Sequence, residues 1–166
     1  MKKWTIIALP EKWSSPYKQR TMKEKEVIKQ GEGKNYPFGQ DHCFIKLASA
    51  HTQGELCFVE DTLKPGFYLP RHHHKTMLEV FYILEGEVEY TFDDETLIAK
   101  PGDTVTVPPN VWHAARCEKG GKMLSIFKNG RFDEYLERLS QMTDAQFADK
   151  ALMAEISAEF DIYDEG

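Results

Sequence analysis

The chain has 166 residues, of which 41% are hydrophobic and 29% charged, a composition typical of one compact folded domain. Its 21 basic and 27 acidic side chains give a formal net charge of −6, which argues against a surface that neutralises nucleic-acid phosphates. The three cysteines lack the even number and close spacing of a disulfide scaffold, and no apolar run is long enough to span a membrane. We therefore expect a cytoplasmic protein with neither a nucleic-acid nor a membrane partner.

Charge divides the chain into three parts. Residues 1–35 carry nine basic and four acidic side chains, and residues 133–166 carry ten acidic and two basic ones. Either these are two solvated surfaces, or the basic segment lies against the acidic one, within one subunit or across a dimer. We predict an N-terminal arm over residues 1–35, a β-barrel over 36–130 and a helical tail over 131–166, in a homodimer whose arms cover exposed sheet edges.

Short apolar segments separated by Gly, Pro and Asp turns fill the region from residue 25 to residue 128. The predicted strands are residues 25–30, 42–49, 55–63, 67–74, 78–85, 88–92, 96–99, 104–108, 113–118 and 122–128. Turn signals about every 8–12 residues are typical of an all-β sandwich or barrel. In residues 88–92, apolar and polar side chains alternate, which predicts an antiparallel sheet with one inner and one solvated face.

The pattern becomes helical after Gly130. Asp133 is a plausible cap for a first helix, and Thr143 and Gln146 fit a capping box ahead of a second one. The apolar side of the second helix would hold Phe147, Ala148, Ala151, Leu152, Ile156 and Phe160. We expect this pair of C-terminal α-helices to pack on the outside of the barrel.

Two histidines and a glutamate indicate a metal site. Successive side chains on a strand point to opposite faces, so His72 and His74 share one face and His73 lies on the other. Glu79 has the same parity as Phe81 and Ile83, which makes it an acidic group on an apolar face. An ionised carboxylate costs several kcal/mol to bury unless a cation or a donor compensates it. A metal ion bound by these three residues would do so.

A third histidine, His113, begins a strand after a Pro-Pro-Asn turn, and its alternation partners Ala115 and Cys117 suit the inside of a narrow barrel. Three neutral imidazoles and one carboxylate suit a borderline divalent ion such as Fe, Mn, Co, Ni, Cu or Zn. We predict one divalent transition metal ion per chain, bound by His72, His74, Glu79 and His113.

These residues resemble the two sequence motifs of the cupin family. The first motif, G-x5-H-x-H-x4-E-x6-G, is matched by Gly66, His72, His74, Glu79 and Gly86. The second, G-x5-P-x-G-x2-H-x3-N, is matched by Gly102, Pro108 and His113, with Asn110 in place of its second glycine and Cys117 in place of its asparagine. Asparagine tolerates the left-handed backbone conformation, so we expect the turn to survive.

Within the cupins the chain is similar to the small, single-domain quercetinase-like proteins. That resemblance covers roughly residues 36–130 and implies a double-stranded β-helix, the jelly-roll barrel of the family, with a metal ion inside. It implies a dioxygenase-like oxidoreductase acting on a small enolic, phenolic or organic-acid substrate, with Glu79 as a general base in catalysis. By strand parity, the candidate pocket walls are Phe81, Ile83, Tyr90, Phe92 and Cys117.

Two other functions stay open, because the cupin scaffold also hosts decarboxylases, isomerases, lyases and binding proteins. A non-oxidative enzyme would need a separate acid or base, for which Tyr68, Tyr82, Glu60 and Asp61 are available. A module that binds a metal or a small molecule without turnover is the third possibility. We expect Cys117 to be a buried neutral thiol in the deeper part of the pocket, where it would favour apolar or aromatic ligands.

Overall fold

The computed structural model describes residues 26–165. The elements of that range are β1 (Asn35–Phe38), β2 (Asp41–Leu47), a 3₁₀ turn (Ser49–His51), β3 (Leu56–Leu63), β4 (Phe67–His73), β5 (Leu78–Glu85), β6 (Val88–Thr91), β7 (Thr96–Ala99), β8 (Thr104–Val107), β9 (His113–Cys117), β10 (Gly121–Lys128), α1 (Phe132–Ser140), α2 (Asp144–Ala148), α3 (Lys150–Glu159) and β11 (Tyr163–Asp164).

The strands form two antiparallel sheets. One has six strands in the order β1-β2-β3-β10-β5-β8, and the other has five in the order β11-β4-β9-β6-β7. Alternate side chains of β3, β5, β6 and β10 are buried, as the period of two in the sequence predicts. The sequence prediction of an all-β jelly-roll barrel with C-terminal helices is confirmed.

A β-bulge in β4 brings His72 onto the inner face. The register with β9 pairs Leu69 with Ala115 and then, after an irregularity, His72 with His113. The extra residue at Pro70 and Arg71 reverses the alternation of the strand. His72 therefore lies on the same face as Leu69, although strict parity from Leu69 would turn it outward.

One predicted strand is wrong. Residues 26–30 form no strand, and Val27 is 86% exposed. This segment pairs with no strand of the described chain, and the Lys29 carbonyl accepts instead from the ammonium of Lys46. The first strand of the described chain is instead β1, and residues 1–25 of the predicted N-terminal arm lie outside the described residues.

The tail contains three helices in place of the predicted pair. The capping box of Thr143 and Gln146 is present, but the helix that it starts ends at Asp149, whose extended backbone (φ −81°, ψ 97°) begins a new helix. Asp133 lies inside the first turn of α1 and accepts a hydrogen bond from the Ser49 N–H, while Arg131 occupies the cap position. Phe147 is 40% exposed, so the predicted apolar side is only partly buried.

After α3 the chain returns to the barrel. Tyr163 and Asp164 of β11 pair with His73 and His72 of β4, a strand that the sequence analysis did not predict. Ile162, just before it, packs against the apolar cluster that includes Met77. Within the described residues, no helix is long and apolar enough to cross a membrane.

Candidate metal centre

Both sheets contribute to one group of four buried side chains. His72 and His113 are direct partners on β4 and β9, His74 follows the last residue of β4, and Glu79 lies on β5 of the opposite sheet. One ligand atom from each of these residues lies within 4.8 Å of the others. The structure therefore brings together all four residues that the sequence analysis assigned to the metal, and they could hold one ion.

The backbone orients all three imidazoles in the same way. Nδ1 of His72 lies 2.8 Å from the Pro70 carbonyl, Nδ1 of His74 2.7 Å from the Asp161 carbonyl, and Nδ1 of His113 3.1 Å from the Val111 carbonyl. A carbonyl oxygen can only accept a hydrogen bond, so each Nδ1 carries the proton. Nε2 of each ring is therefore the nitrogen that faces the centre, and without a proton its lone pair can bind a metal ion, which is the usual arrangement of histidine ligands.

Electrostatics keep Glu79 charged inside the barrel. Burial alone would raise the pKa of Glu79, but the imidazoles of His113 and His74 hold that pKa below its ordinary value. Burial lowers the pKa of His72 to about 4, which leaves this imidazole neutral at physiological pH. Glu79 raises the pKa of His74 against the opposing effect of burial.

Three buried polar atoms at the centre of the cluster have no hydrogen-bond partner, which is the arrangement expected of a metal site. Nε2 of His74 and Nε2 of His113 lie 3.1 and 2.8 Å from Oε2 of Glu79. None of these three buried atoms has a hydrogen-bond partner. Buried polar groups without partners are rare and costly, and a divalent cation would satisfy all three at once. The donor set of three nitrogens and one carboxylate suits a transition metal.

His73 points away from this centre, as its position between His72 and His74 predicts. Its ring stacks against Tyr163 with 5.4 Å between ring centroids, and lies 4.4 Å from the ring of Trp112. His73 therefore belongs to an aromatic contact on the other face of β4.

The five candidate pocket residues lie in one apolar cluster between the sheets. The rings of Phe81 and Tyr90 are 5.2 Å apart, and Ile83 and Cys117 are buried beside them, while Phe92 is partly buried. The thiol of Cys117 donates to the Glu87 carbonyl at 3.3 Å, and burial raises its pKa. That these five candidate pocket residues contact a ligand stays a prediction.

A second polar group lies inside the barrel. The carboxylate of Asp61 accepts a hydrogen bond from Ser125, and Cys43 donates to Asp41 at 3.4 Å. Ligand atoms of Asp41, Cys43 and Asp61 lie within 4.8 Å of one another. Burial raises the pKa of Asp61 well above its ordinary value and raises that of Asp41 to about 6. From the sequence alone, Asp61 is one of four possible acids or bases, and the alternation of β3 is the signal that turns its side chain inward.

Two open grooves lie elsewhere on the molecule. One, of about 810 Å³, is lined by residues of β1, β2 and α1, such as Tyr36, Ile45 and Glu137. The other, of about 460 Å³, lies beside Gly86 and Arg116. None of the four candidate metal ligands and none of the candidate pocket residues lines either groove.

Residues 59–127 match the family model for the Cupin domain, a range that includes all four members of the buried cluster. This match and the two-sheet barrel make the chain similar to cupins over that range. Among curated proteins, it is 29% identical over 114 residues to quercetin 2,3-dioxygenase of Bacillus subtilis (strain 168), an alignment that covers 68% of this chain and 34% of the relative. The chain thus spans about a third of the length of that relative.

Solved structures show the same fold. An RmlC-like cupin from Shewanella frigidimarina superposes with a TM-score of 0.56 at 25% identity, covering 66% of this chain and 96% of the other. KdgF from Halomonas sp. superposes with a TM-score of 0.59 at 18% identity, covering 67% of this chain and 99% of the other. These similarities establish the barrel fold and do not identify a reaction.

Proposed function

We propose that this protein is a metal-dependent oxidoreductase that adds O₂ to a small enolic, phenolic or organic-acid substrate. One observation carries the proposal: three imidazoles with protonated Nδ1 and one buried carboxylate converge with no hydrogen-bond partner for three of their inward atoms. His72, His74, Glu79 and His113 would hold one divalent transition ion. When bound, such an ion supplies the electron transfer that a closed-shell enol needs in order to react with O₂.

The roles of the protein follow from its own residues. The apolar cluster around Phe81, Ile83 and Tyr90 excludes water from the interior and offers flat surfaces to an aromatic ring. Glu79, held in its charged form, is placed to accept the proton of a substrate hydroxyl as a general base. Similarity to the quercetin 2,3-dioxygenase relative supports O₂ as the co-reactant.

A non-oxidative lyase, isomerase or decarboxylase is the second candidate, and Asp61 favours it. Of the four acids and bases that the sequence analysis offered for such chemistry, Tyr68 and Tyr82 are exposed and Glu60 pairs with Lys46. Asp61 is buried on the inner face, with its pKa raised by burial. A carboxyl group that keeps its proton could act as the general acid for a carbonyl polarised by a metal ion.

Loading the purified metal-free chain with one ion at a time separates these functions. Each of Fe²⁺, Mn²⁺, Co²⁺, Ni²⁺, Cu²⁺ and Zn²⁺ would be tested on an O₂ electrode against flavonols, simple enols, phenols and keto acids. We expect O₂ uptake equal to substrate loss with a redox-active ion. Equal substrate loss without O₂ would support the second candidate, and no turnover with any ion would make the protein a binding module.

Glu79→Gln tests the general base, with Glu85→Gln as the matched control. Both residues lie on β5, but Glu85 is exposed and pairs with Lys122. We expect Glu79→Gln to lower the turnover rate at least about 100-fold, the usual contribution of general-base catalysis. Turnover of the Glu85→Gln variant should equal that of the wild type. Full activity of Glu79→Gln would remove the base from the proposal.

A further inference from the structure

Of the three imidazoles, His74 depends on a distant part of the chain. The carbonyls that accept from His72 and His113 lie two residues away from each ring, at Pro70 and Val111. The carbonyl that accepts from His74 belongs to Asp161, which is 87 residues away. His74 also lies beyond the last residue of β4, and its own carbonyl accepts from the Asn110 N–H at 2.6 Å.

Asp161 also holds the loop that follows His74. Its carboxylate accepts from the backbone N–H of Lys75 at 3.0 Å and from those of Thr76 and Met77 at 2.8 Å, and the hydroxyl of Thr76 donates to it at 2.8 Å. A carboxylate that accepts several N–H bonds is among the stronger groups for fixing a loop. One residue therefore orients the ring of His74 through its carbonyl and the loop after it through its side chain.

We call residues 161–165 the C-terminal clasp. The residues after Asp161 hold this segment against β4. Tyr163 pairs with His73 and stacks on its ring, and the Lys75 ammonium lies 3.8 Å from the centroid of the Tyr163 ring. Glu165 forms an ion pair with Arg71. Asp161 itself has a positive φ of 63°, a conformation that costs a non-glycine residue free energy and persists only where surrounding contacts impose it.

We propose that Asp161 is a positioning residue of the metal centre, which fixes the tautomer and direction of His74 and the loop after it. The proposal rests on the metal role given to the four residues under the proposed function. A hydrogen-bond partner on the far nitrogen of a histidine ligand typically changes metal affinity about 10- to 100-fold when it is lost. The clasp thus makes metal binding depend on a segment outside both cupin motifs.

Metal affinity of the full chain is the decisive measurement. Competition of Co²⁺ or Zn²⁺ against a chromophoric chelator would be measured at a temperature where circular dichroism shows every variant to be folded. Asp161→Ala keeps the backbone carbonyl but removes the four side-chain hydrogen bonds that hold this carbonyl beside His74, so we expect the affinity to weaken about 10- to 100-fold. Asp161→Asn keeps one oxygen acceptor and tolerates a positive φ, so it should restore most of that loss.

Asp149→Ala is the matched control. Asp149 also accepts two backbone N–H bonds at the start of a helix, from Ala151 and Leu152, but it contacts none of the four candidate ligands. We expect this variant to lower thermal stability while its metal affinity stays within about twofold of the wild type, because an N-cap contributes to stability alone. Equal affinity of Asp161→Ala and the wild type would overturn the proposal.

The imidazole protons of the metal-free protein give a readout that does not depend on the ion. In a ¹⁵N spectrum of the histidine side chains, wild-type His74 should show a protonated Nδ1 with a slowly exchanging proton. Because Asp161→Ala releases the segment that holds the accepting carbonyl in place, it should mix the tautomers of His74 and leave those of His113 unchanged. If the wild type bound no metal, the proposed function would fail while this result still decided the role of Asp161. If Asp161→Ala did not fold, Asp161→Gly, which removes the same carboxylate and accepts the positive φ, would carry the same test.

Discussion

The hydroxyl of Ser125 donates a 2.5 Å hydrogen bond to Oδ2 of Asp61 in the interior of the barrel. Asp61 is 3% exposed, and its neighbours include Asp41 and Cys43 on β2 and Glu79 on β5. Burial and the charges of Asp41 and Glu79 all raise the pKa of Asp61, so its carboxyl group keeps a proton at pH values where an exposed aspartate has lost it.

The first prediction concerns the pH dependence of stability. Because the folded-state pKa of Asp61 is raised, the folded chain binds more protons than the unfolded chain above about pH 4, and its stability falls as pH rises toward the folded pKa. Asp61→Asn keeps an oxygen that accepts from Ser125 and removes this titration. With a chelator present to keep the protein metal-free, the unfolding free energy of Asp61→Asn should rise relative to that of the wild type as pH rises. The expected change is up to about 1.4 kcal/mol per pH unit in that window.

Urea unfolding of both proteins from pH 4 to pH 8 would measure this difference. Asp94→Asn, at an exposed position in the turn after β6, serves as the control and should follow the wild-type pH dependence. A constant difference between wild type and Asp61→Asn across the whole range would contradict the raised pKa.

The second prediction separates neighbouring histidines by the direction of their side chains. His113→Ala removes a donor from the buried cluster and should reduce bound metal, measured by elemental analysis, to less than about a tenth of the wild-type content. His73→Ala should retain full metal content, since its ring contacts Trp112 and Tyr163 on the other face. A metal content of His73→Ala as low as that of His113→Ala would mean that β4 presents the opposite face to the centre, because loss of the stacking on Tyr163 leaves all four candidate ligands in place.

The third prediction concerns Cys117, which occupies the position of the asparagine in the second motif. Cys117 pairs with Phe67, whereas His113 pairs with His72, so the thiol lies about 13 Å along the strand from the metal ligands. Cys117→Asn should therefore keep its metal and bind an aromatic enol more weakly, in a calorimetric titration, because a polar amide replaces an apolar wall. Unchanged affinity and kinetics would make Cys117 a core residue without a part in binding.

The fourth prediction compares two glycines with positive φ. A Cβ on Gly86 would lie 2.5 Å from the Gly120 carbonyl oxygen, whereas a Cβ on Gly102 would meet nothing within 4 Å. Gly102→Ala should cost only the backbone strain, about 1–3 kcal/mol in unfolding free energy. Gly86→Ala should cost more, because the β6 turn must also move away from β10. If urea unfolding showed the same loss of unfolding free energy for both variants, the turn before β6 would be able to move away from β10 without cost.

The fifth prediction is the homodimer. The outer strands of the two sheets in the described chain are β1, β8, β11 and β7, and uncovered sheet edges favour association. Light scattering should give twice the monomer mass for the full chain. If the arms cover the edges, deletion of residues 1–20 should leave a monomer. The same dimer mass after deletion would remove the arm from the interface, and a monomeric full chain would end the prediction.

Local chemistry explains why the metal ligands could be predicted. His72, His74 and Glu79 lie within one stretch of strand and turn, so their spacing in the sequence nearly determines their spacing in space. The bulge at Pro70 could not be predicted from alternation, because parity within the stretch from His72 onward is the same with or without it. Parity therefore predicted the correct face for the ligands without showing how the strand reaches it.

Long-range partners explain what the sequence analysis missed. Nothing near Asp161 distinguishes it from the other acids of the tail, and its role appears only when the clasp pairs with β4. The wrong strand at residues 26–30 has the same origin, since β propensity cannot show whether a neighbour is available. The break at Asp149 was hidden because its capping bonds to Ala151 and Leu152 compete with a continuous helix.

The clasp has a consequence for the order of events in biosynthesis. All four candidate ligands precede Asp161 in the chain by at least 48 residues, since the last of them is His113. A chain that is still being translated can build its strands from the N-terminal side first, but the contact of Asp161 with His74 closes only after β4, β5 and β9 have left the ribosome. On the proposed metal role, high-affinity metal binding therefore follows the synthesis of residues 161–165, and a product terminated before them would bind the ion more weakly.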